Sequence, residues 1–150
     1  MQKGIATLEI ILAIMIIGVL MKFAVPKAAQ IIDAVALDYE TKRFYSELRF
    51  VQAMSIEDID RPMLYINRTK NYYQVFKNME GQDPIREPHY FSNGVTIKLK
   101  NKTDTIIKIN FNTEGKASIN SDTLTLTSRL GKNKYIKFDS VGRVRGSLNN

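Results

Sequence analysis

The chain has 150 residues, 44% hydrophobic and 25% charged, with 22 Lys and Arg against 15 Asp and Glu for a formal charge of +7. That length holds one ordinary domain, or a smaller domain with an appendage, and excludes a large two-domain enzyme. There is no Cys, so disulfides, thiolate nucleophiles and cysteine metal sites are absent, and a single His leaves little for zinc or Ser-His chemistry. The positive charge is compatible with nucleic acid, anionic lipid or an acidic protein face and does not choose among them.

Apolar residues concentrate at the N-terminus. Ile10 to Met21 are twelve residues without a charge, and the 21 residues from Ile5 to Val25 contain only Glu9 and Lys22 as charges. A helix rises about 1.5 Å per residue, so about 20 residues cross a hydrocarbon core of about 30 Å. Three readings compete. A secretory signal peptide would use Lys3 as its basic start, but Glu9 breaks its apolar stretch and Ala24-Val25-Pro26 is a poor cleavage site. A plain membrane anchor explains the apolar run and leaves Glu9 unexplained. A carboxylate costs about 3 kcal/mol at the bilayer centre, so the third reading takes Glu9 as a functional residue in need of a partner.

Cutting the chain after Gly4 supplies that partner, because Ile5 then carries a free α-amine and Glu9 becomes the fifth residue. The segment Met1-Gln2-Lys3-Gly4-Ile5-Ala6-Thr7-Leu8-Glu9, with the apolar run behind it, resembles the class III signal of type IV prepilins and type II secretion pseudopilins. Ile5 stands where that family usually has Phe, and Ala6-Thr7 where it usually has Thr or Ser and then Leu. The resemblance implies a leader over 1–4, cleavage between Gly4 and Ile5 by a membrane peptidase on the cytoplasmic side, N-methylation of Ile5, and a transmembrane and filament-core helix over 5–25. It implies that Glu9 neutralises the amine of Ile5 in a neighbouring subunit during assembly. It also implies a helix kink at Pro26, an extracytoplasmic C-terminal domain, and as partners other pilins, the prepilin peptidase, an inner-membrane assembly platform and membrane lipid, with no cofactor. Two opposite charges attract strongly in low dielectric but each loses its hydration, so such a pair sets register more than it adds stability.

Pro26 lacks an N–H and disfavours helical geometry at Val25, yet Lys27 to Ile56 contains no Gly or Pro. Ile31, Val35, Leu37, Phe44, Leu48 and Val51 predict an amphipathic helix over 26–60 whose apolar face covers a β-sheet, with Arg61-Pro62 ending it. Residues 31–60 hold seven acids and three bases, and residues 129–150 six bases and one acid. These regions could meet between neighbouring subunits or stand as separate solvated faces.

Residues 61–150 read as a β-rich domain. Met63–Arg68 and Tyr72–Lys77 flank a Thr69-Lys70-Asn71 turn, and 78–94 reads as a long loop with Gly81, Pro84 and Pro88. Val95–Lys100, Thr105–Phe111, Thr123–Thr127, Tyr135–Phe138 and Arg143–Arg145 complete six or seven antiparallel strands. The fold class is α+β, a long N-terminal helix packed on antiparallel sheet. Phe111 followed by Asn112-Thr113-Glu114-Gly115, and Asp139-Ser140-Val141-Gly142 followed by Arg143-Val144, resemble the turns of the GspH/FimT subgroup of minor pseudopilins and minor pilins, and the layout is similar to minor pseudopilins of competence systems.

No catalytic constellation emerges. His89 sits in Pro88-His89-Tyr90 without a second His, so a surface loop is expected; Gly131-Lys132 lacks phosphate-loop spacing, and Glu57, Asp58 and Asp60 lack a calcium loop, leaving no metal site. The expected function is a minor pilin or pseudopilin of a type II secretion pseudopilus or of a type IV or competence pilus. The alternative is a DNA-binding minor pilin. Arg129, Lys132, Lys134, Lys137, Arg143 and Arg145, with Tyr135 between them, have the composition for phosphate contacts, although a solvated basic surface has the same composition.

Overall fold

A computed structural model describes residues 2–57, 61–100, 103–119, 121–139 and 143–147, with side chains described between residues 8 and 146. One helix, α1 (Gln2–Ile56), takes up 55 residues with Pro26 in its interior. At 1.5 Å per residue it is about 80 Å long. Pro26 removes one backbone hydrogen bond, and the uninterrupted run of helix-compatible residues on both sides carries the helix past it. The helix ends ahead of Pro62, which cannot continue it.

The strands follow as β1 (Met63–Asn67), β2 (Tyr72–Phe76), β3 (His89–Tyr90), β4 (Thr96–Leu99), β5 (Ile106–Asn110), β6 (Thr123–Thr127), β7 (Asn133–Phe138) and β8 (Val144–Ser147). They form two four-stranded sheets, in the orders β3-β2-β1-β5 and β4-β6-β7-β8, with every pairing antiparallel. The expected β1–β2 hairpin is present: Asn71 takes φ 54° and the Asn67 side chain accepts the Lys70 N–H at 2.9 Å. One feature differs from the sequence expectation. The 78–94 segment contains β3, whose two residues pair with Tyr72 and Tyr73 and are too few to show a periodic pattern. The consecutive strands β4 and β5 do not pair with each other, because β5 adds to β1 and β4 to β6, so the chain changes sheet between them.

Period-two alternation places Leu64 and Ile66, Tyr73 and Val75, Ile107 and Ile109, Leu124 and Leu126, and Ile136 and Phe138 inward. They meet Leu37, Phe44, Leu48 and Val51 of α1 in one continuous core. Phe44 stacks edge-on to Tyr73 at 5.1 Å, and Phe91 closes on Tyr73 at 5.3 Å. Ile31 and Val35, expected on this face, point away from it and are 64% and 63% exposed. Val35 precedes Leu37 by two residues, about 200° around a helix, so the two cannot share a stripe.

Candidate functional site

The functional geometry lies in how α1 divides. From Leu8 to Ala28 every residue is exposed, and the large apolar side chains between Leu8 and Val25 stand 52–69% open. The helix is long and apolar enough there to cross a membrane, and none of its apolar window is covered by the rest of the protein. Glu9 is the acid of that stretch and is itself exposed. Gly4 and Ile5 lie on the helical backbone ahead of it. Ile31, Ile32, Val35 and Tyr39 carry the open apolar surface past Pro26, on the side opposite the sheets.

Burial begins at Asp33, and from there α1 is held by polar side chains. The Asp33 carboxylate, 5% exposed, accepts from the Ser128 hydroxyl at 2.6 Å and the Leu130 N–H at 3.3 Å, fixing the turn between β6 and β7. Asp38 pairs with Lys134 of β7 and, at 2.7 Å, with Lys42. The hydrogen bond from Lys134, then that from Lys42, holds the Asp38 carboxyl below its ordinary range. Glu40 is fully buried: one oxygen accepts from the Ser92 N–H and hydroxyl at 3.1 and 2.6 Å, the other meets His89 Nε2 at 2.8 Å. Glu47 accepts from Arg86 at 2.7 Å, and the Arg86 guanidinium lies 4.5 Å over the Phe50 ring. Gln52 donates to the Gly115 carbonyl at 2.7 Å. Asp33, Asp38 and Gln52 hold β6–β7 and the 112–116 turn, while Glu40 and Glu47 hold the segment around β3.

Sequence reasoning placed these acids on solvated faces and missed them as clamps. The signal was in their spacing: Asp33, Glu40 and Glu47 recur every seven residues, so they share one helix face with Phe44 and Leu37. His89, expected on a surface loop, lies on β3 with its side chain only 19% exposed. The acidic and basic regions meet within one chain at Asp38–Lys134, where an encounter between neighbours had been one of two expectations.

The six basic candidates separate. Lys134 points inward to Asp38, whereas Lys137 and Arg145 project outward and stand directly opposite each other on β7 and β8. Lys98 of β4 is exposed on the same sheet. Arg129 and Lys132 flank the turn at Gly131, and Arg143 is exposed ahead of β8. Of the acidic trio, Glu57 is exposed at the end of α1, and Asp58 and Asp60 lie outside the described residues. Ser140, Val141 and Gly142, part of the expected last turn, lie outside them too. Among the described residues no group of three or more His, Cys, Asp and Glu side chains forms a metal site.

No family model and no curated protein matches the sequence. Solved structures do match in shape. The minor pilin FimU of Pseudomonas aeruginosa superposes with a TM-score of 0.60 at 13% identity, over 81% of this chain and 92% of FimU. The minor pseudopilin EpsH of the type 2 secretion system of Vibrio cholerae superposes with a TM-score of 0.58 at 9% identity, over 72% of this chain and 93% of EpsH. The fold is a minor-pilin fold. Within it, the exposed front of α1 is the membrane-compatible element, and the packed half from Asp33 onward joins it to both sheets.

Proposed function

We propose that the chain is a minor pilin or pseudopilin, a structural subunit that enters the membrane through α1 and assembles into a filament by packing that helix against copies or relatives of itself. The observation that carries this reading is an exposed apolar helix, with Glu9 in it, projecting from a domain whose own core is complete without it. An apolar surface of that size needs lipid first and other helices afterwards. In this reading the peptidase cuts between Gly4 and Ile5, the Ile5 amine is methylated, and Glu9 meets that amine in the adjacent subunit. The β-domain then lies outside the cytoplasm. Ile31, Ile32, Val35 and Tyr39 extend the packing surface beyond the membrane.

Replacing Glu9 with Ala tests the assembly step. The variant is expected to insert and be cleaved normally, read by membrane fractionation and by mass spectrometry of the N-terminus, and to lose incorporation into sheared filaments. Normal incorporation would refute the role given to Glu9.

A second reading, duplex binding during DNA uptake, draws on the outward face of the second sheet. Lys137 and Arg145 sit directly opposite, with the Asp139 carboxylate 3.6 Å from Arg145, so the face carries two cations beside one anion. Lys98 adds to the same sheet. Titrating the full chain with duplex DNA across salt concentrations is expected to give a log–log salt slope that shrinks by about 1 for each basic residue neutralised. Absence of affinity at low salt removes this reading.

A further inference from the structure

A groove of about 780 Å³ runs between the end of α1 and β8, lined by Arg49, Gln52, Ala53 and Ile56 on the helix side, the Glu114–Lys116 turn, and Arg143 to Arg145. We propose that it takes an extended acidic segment of a partner protein chain, which adds to the free edge of β8 as a further strand.

Three observations on independent features converge there. First, among the described residues β8 is the last strand of its sheet, so alternate N–H and C=O groups between Val144 and Ser147 face away from β7 with no described strand to meet them. An added strand satisfies them at once, and pairing of this kind supplies affinity without demanding a particular sequence. Second, the floor is apolar. Ile56 is 53% exposed although it sits beside Ala53 at the packed end of α1. Gly115 keeps this end open: at φ 74° its missing Cβ would lie 3.0 Å from the Ile56 side chain. Third, the rim is basic, with Arg49, Lys116, Arg143 and Arg145 against Glu114 in the lining and Asp139 beside it. Glu114 is taken by Lys116 at 2.6 Å, and Arg145 meets Asp139 at 3.6 Å. Among the described residues Arg49 and Arg143 have no carboxylate partner. Side chains of a strand alternate between faces, so the segment that fits alternates apolar residues toward Ala53 and Ile56 with acidic residues toward Arg143 and Arg145, and Arg49 adds positive charge one helical turn before Ala53.

This surface lies apart from the exposed face of α1. Only the expected origin of the partner, another subunit of the same assembly, rests on the filament reading. The groove can therefore fail while assembly through Glu9 stands, and the reverse.

The test uses the full chain in detergent micelles and a short, blocked, fluorescent peptide of alternating Glu and Val, followed by anisotropy. Saturable binding is expected, weakened about tenfold by Arg49→Glu and likewise by Ala53→Trp, which fills the groove without changing charge. Lys98→Glu, outside the groove, is expected to leave it unchanged. Circular dichroism of each variant verifies the fold. N-methylation of alternate peptide amides is expected to abolish binding, because it removes the donors that pair with β8. Three results would overturn the proposal: no saturable binding, equal binding of a Lys-Val peptide or of the N-methylated one, and displacement by a duplex oligonucleotide whose own binding is lost in Arg49→Glu. The last would reassign the groove to nucleic acid.

Discussion

Glu40 is the most demanding residue of the fold. A carboxylate with no exposed surface survives because three donors reach it, the Ser92 N–H, the Ser92 hydroxyl and the His89 ring. Glu40→Ala leaves all three without an acceptor and is expected to cost about 3 kcal/mol. A thermal melt should register this as a fall in Tm of about 10 °C or more. Glu40→Gln keeps an acceptor and is expected to cost less. Gly115 is demanding for a different reason. Its φ of 74°, its N–H to the Asn112 carbonyl at 2.8 Å and its carbonyl to Gln52 all depend on a turn that a side chain strains. Gly115→Ala is expected to destabilise by about 1–2 kcal/mol in a denaturant titration. These two residues were unequally legible. A glycine closing a turn after a strand announces itself in the sequence. A glutamate on an amphipathic helix reads as solvated unless its seven-residue spacing to Asp33 and Glu47 is weighed together with the apolar stripe it joins.

At the scale of elements, α1 and the longer strands could be read from periodicity, since Leu64/Ile66 or Leu124/Leu126 alternate visibly. The β3 pairing could not, because two residues define no period, and its place is set by Glu40 reaching His89 and Ser92 from a helix about fifty positions earlier. The exchange of partners between β4 and β5 is likewise a tertiary choice: the two strands look alike in sequence, and neither pattern says which neighbour each will take. The tie between α1 and β7 carries a pH dependence. Asp38 has its carboxyl lowered by Lys134 and Lys42, so the folded state binds its proton more weakly than the unfolded chain does. Stability from this site is therefore present above the ordinary value of 3.8 and is lost as pH falls through the lower folded value. The Tm of the parent is expected to exceed that of Asp38→Asn at neutral pH, and the gap should close under acid. The Asp38 side chain is 35% exposed, which keeps the gap small.

Across the whole molecule, the apolar surface and the core are separate. Buried positions of α1 start at Asp33, so a chain beginning at residue 29 retains every described core contact. Such a chain is expected to be soluble and monomeric by size exclusion, with a cooperative melt resembling that of the full chain in detergent. Aggregation or a lost transition would show that the front of the helix supports the domain. The membrane-compatible run was visible from composition. What composition could not give was the division of the strands into two sheets joined through one helix.

That last arrangement makes α1 a strut. Among the described residues the sheets share no strand pairing, and each is gripped along the same rod, one through Asp33 and Asp38, the other through Glu40 and Glu47. Because the rod is helical from Gln2 through Ile56, an axial load applied near Glu9 travels its length and reaches both sheets together as shear across those four carboxylates. Tension on the front end thus loads ionic and hydrogen-bonded contacts together with the oily interior interleaved between them.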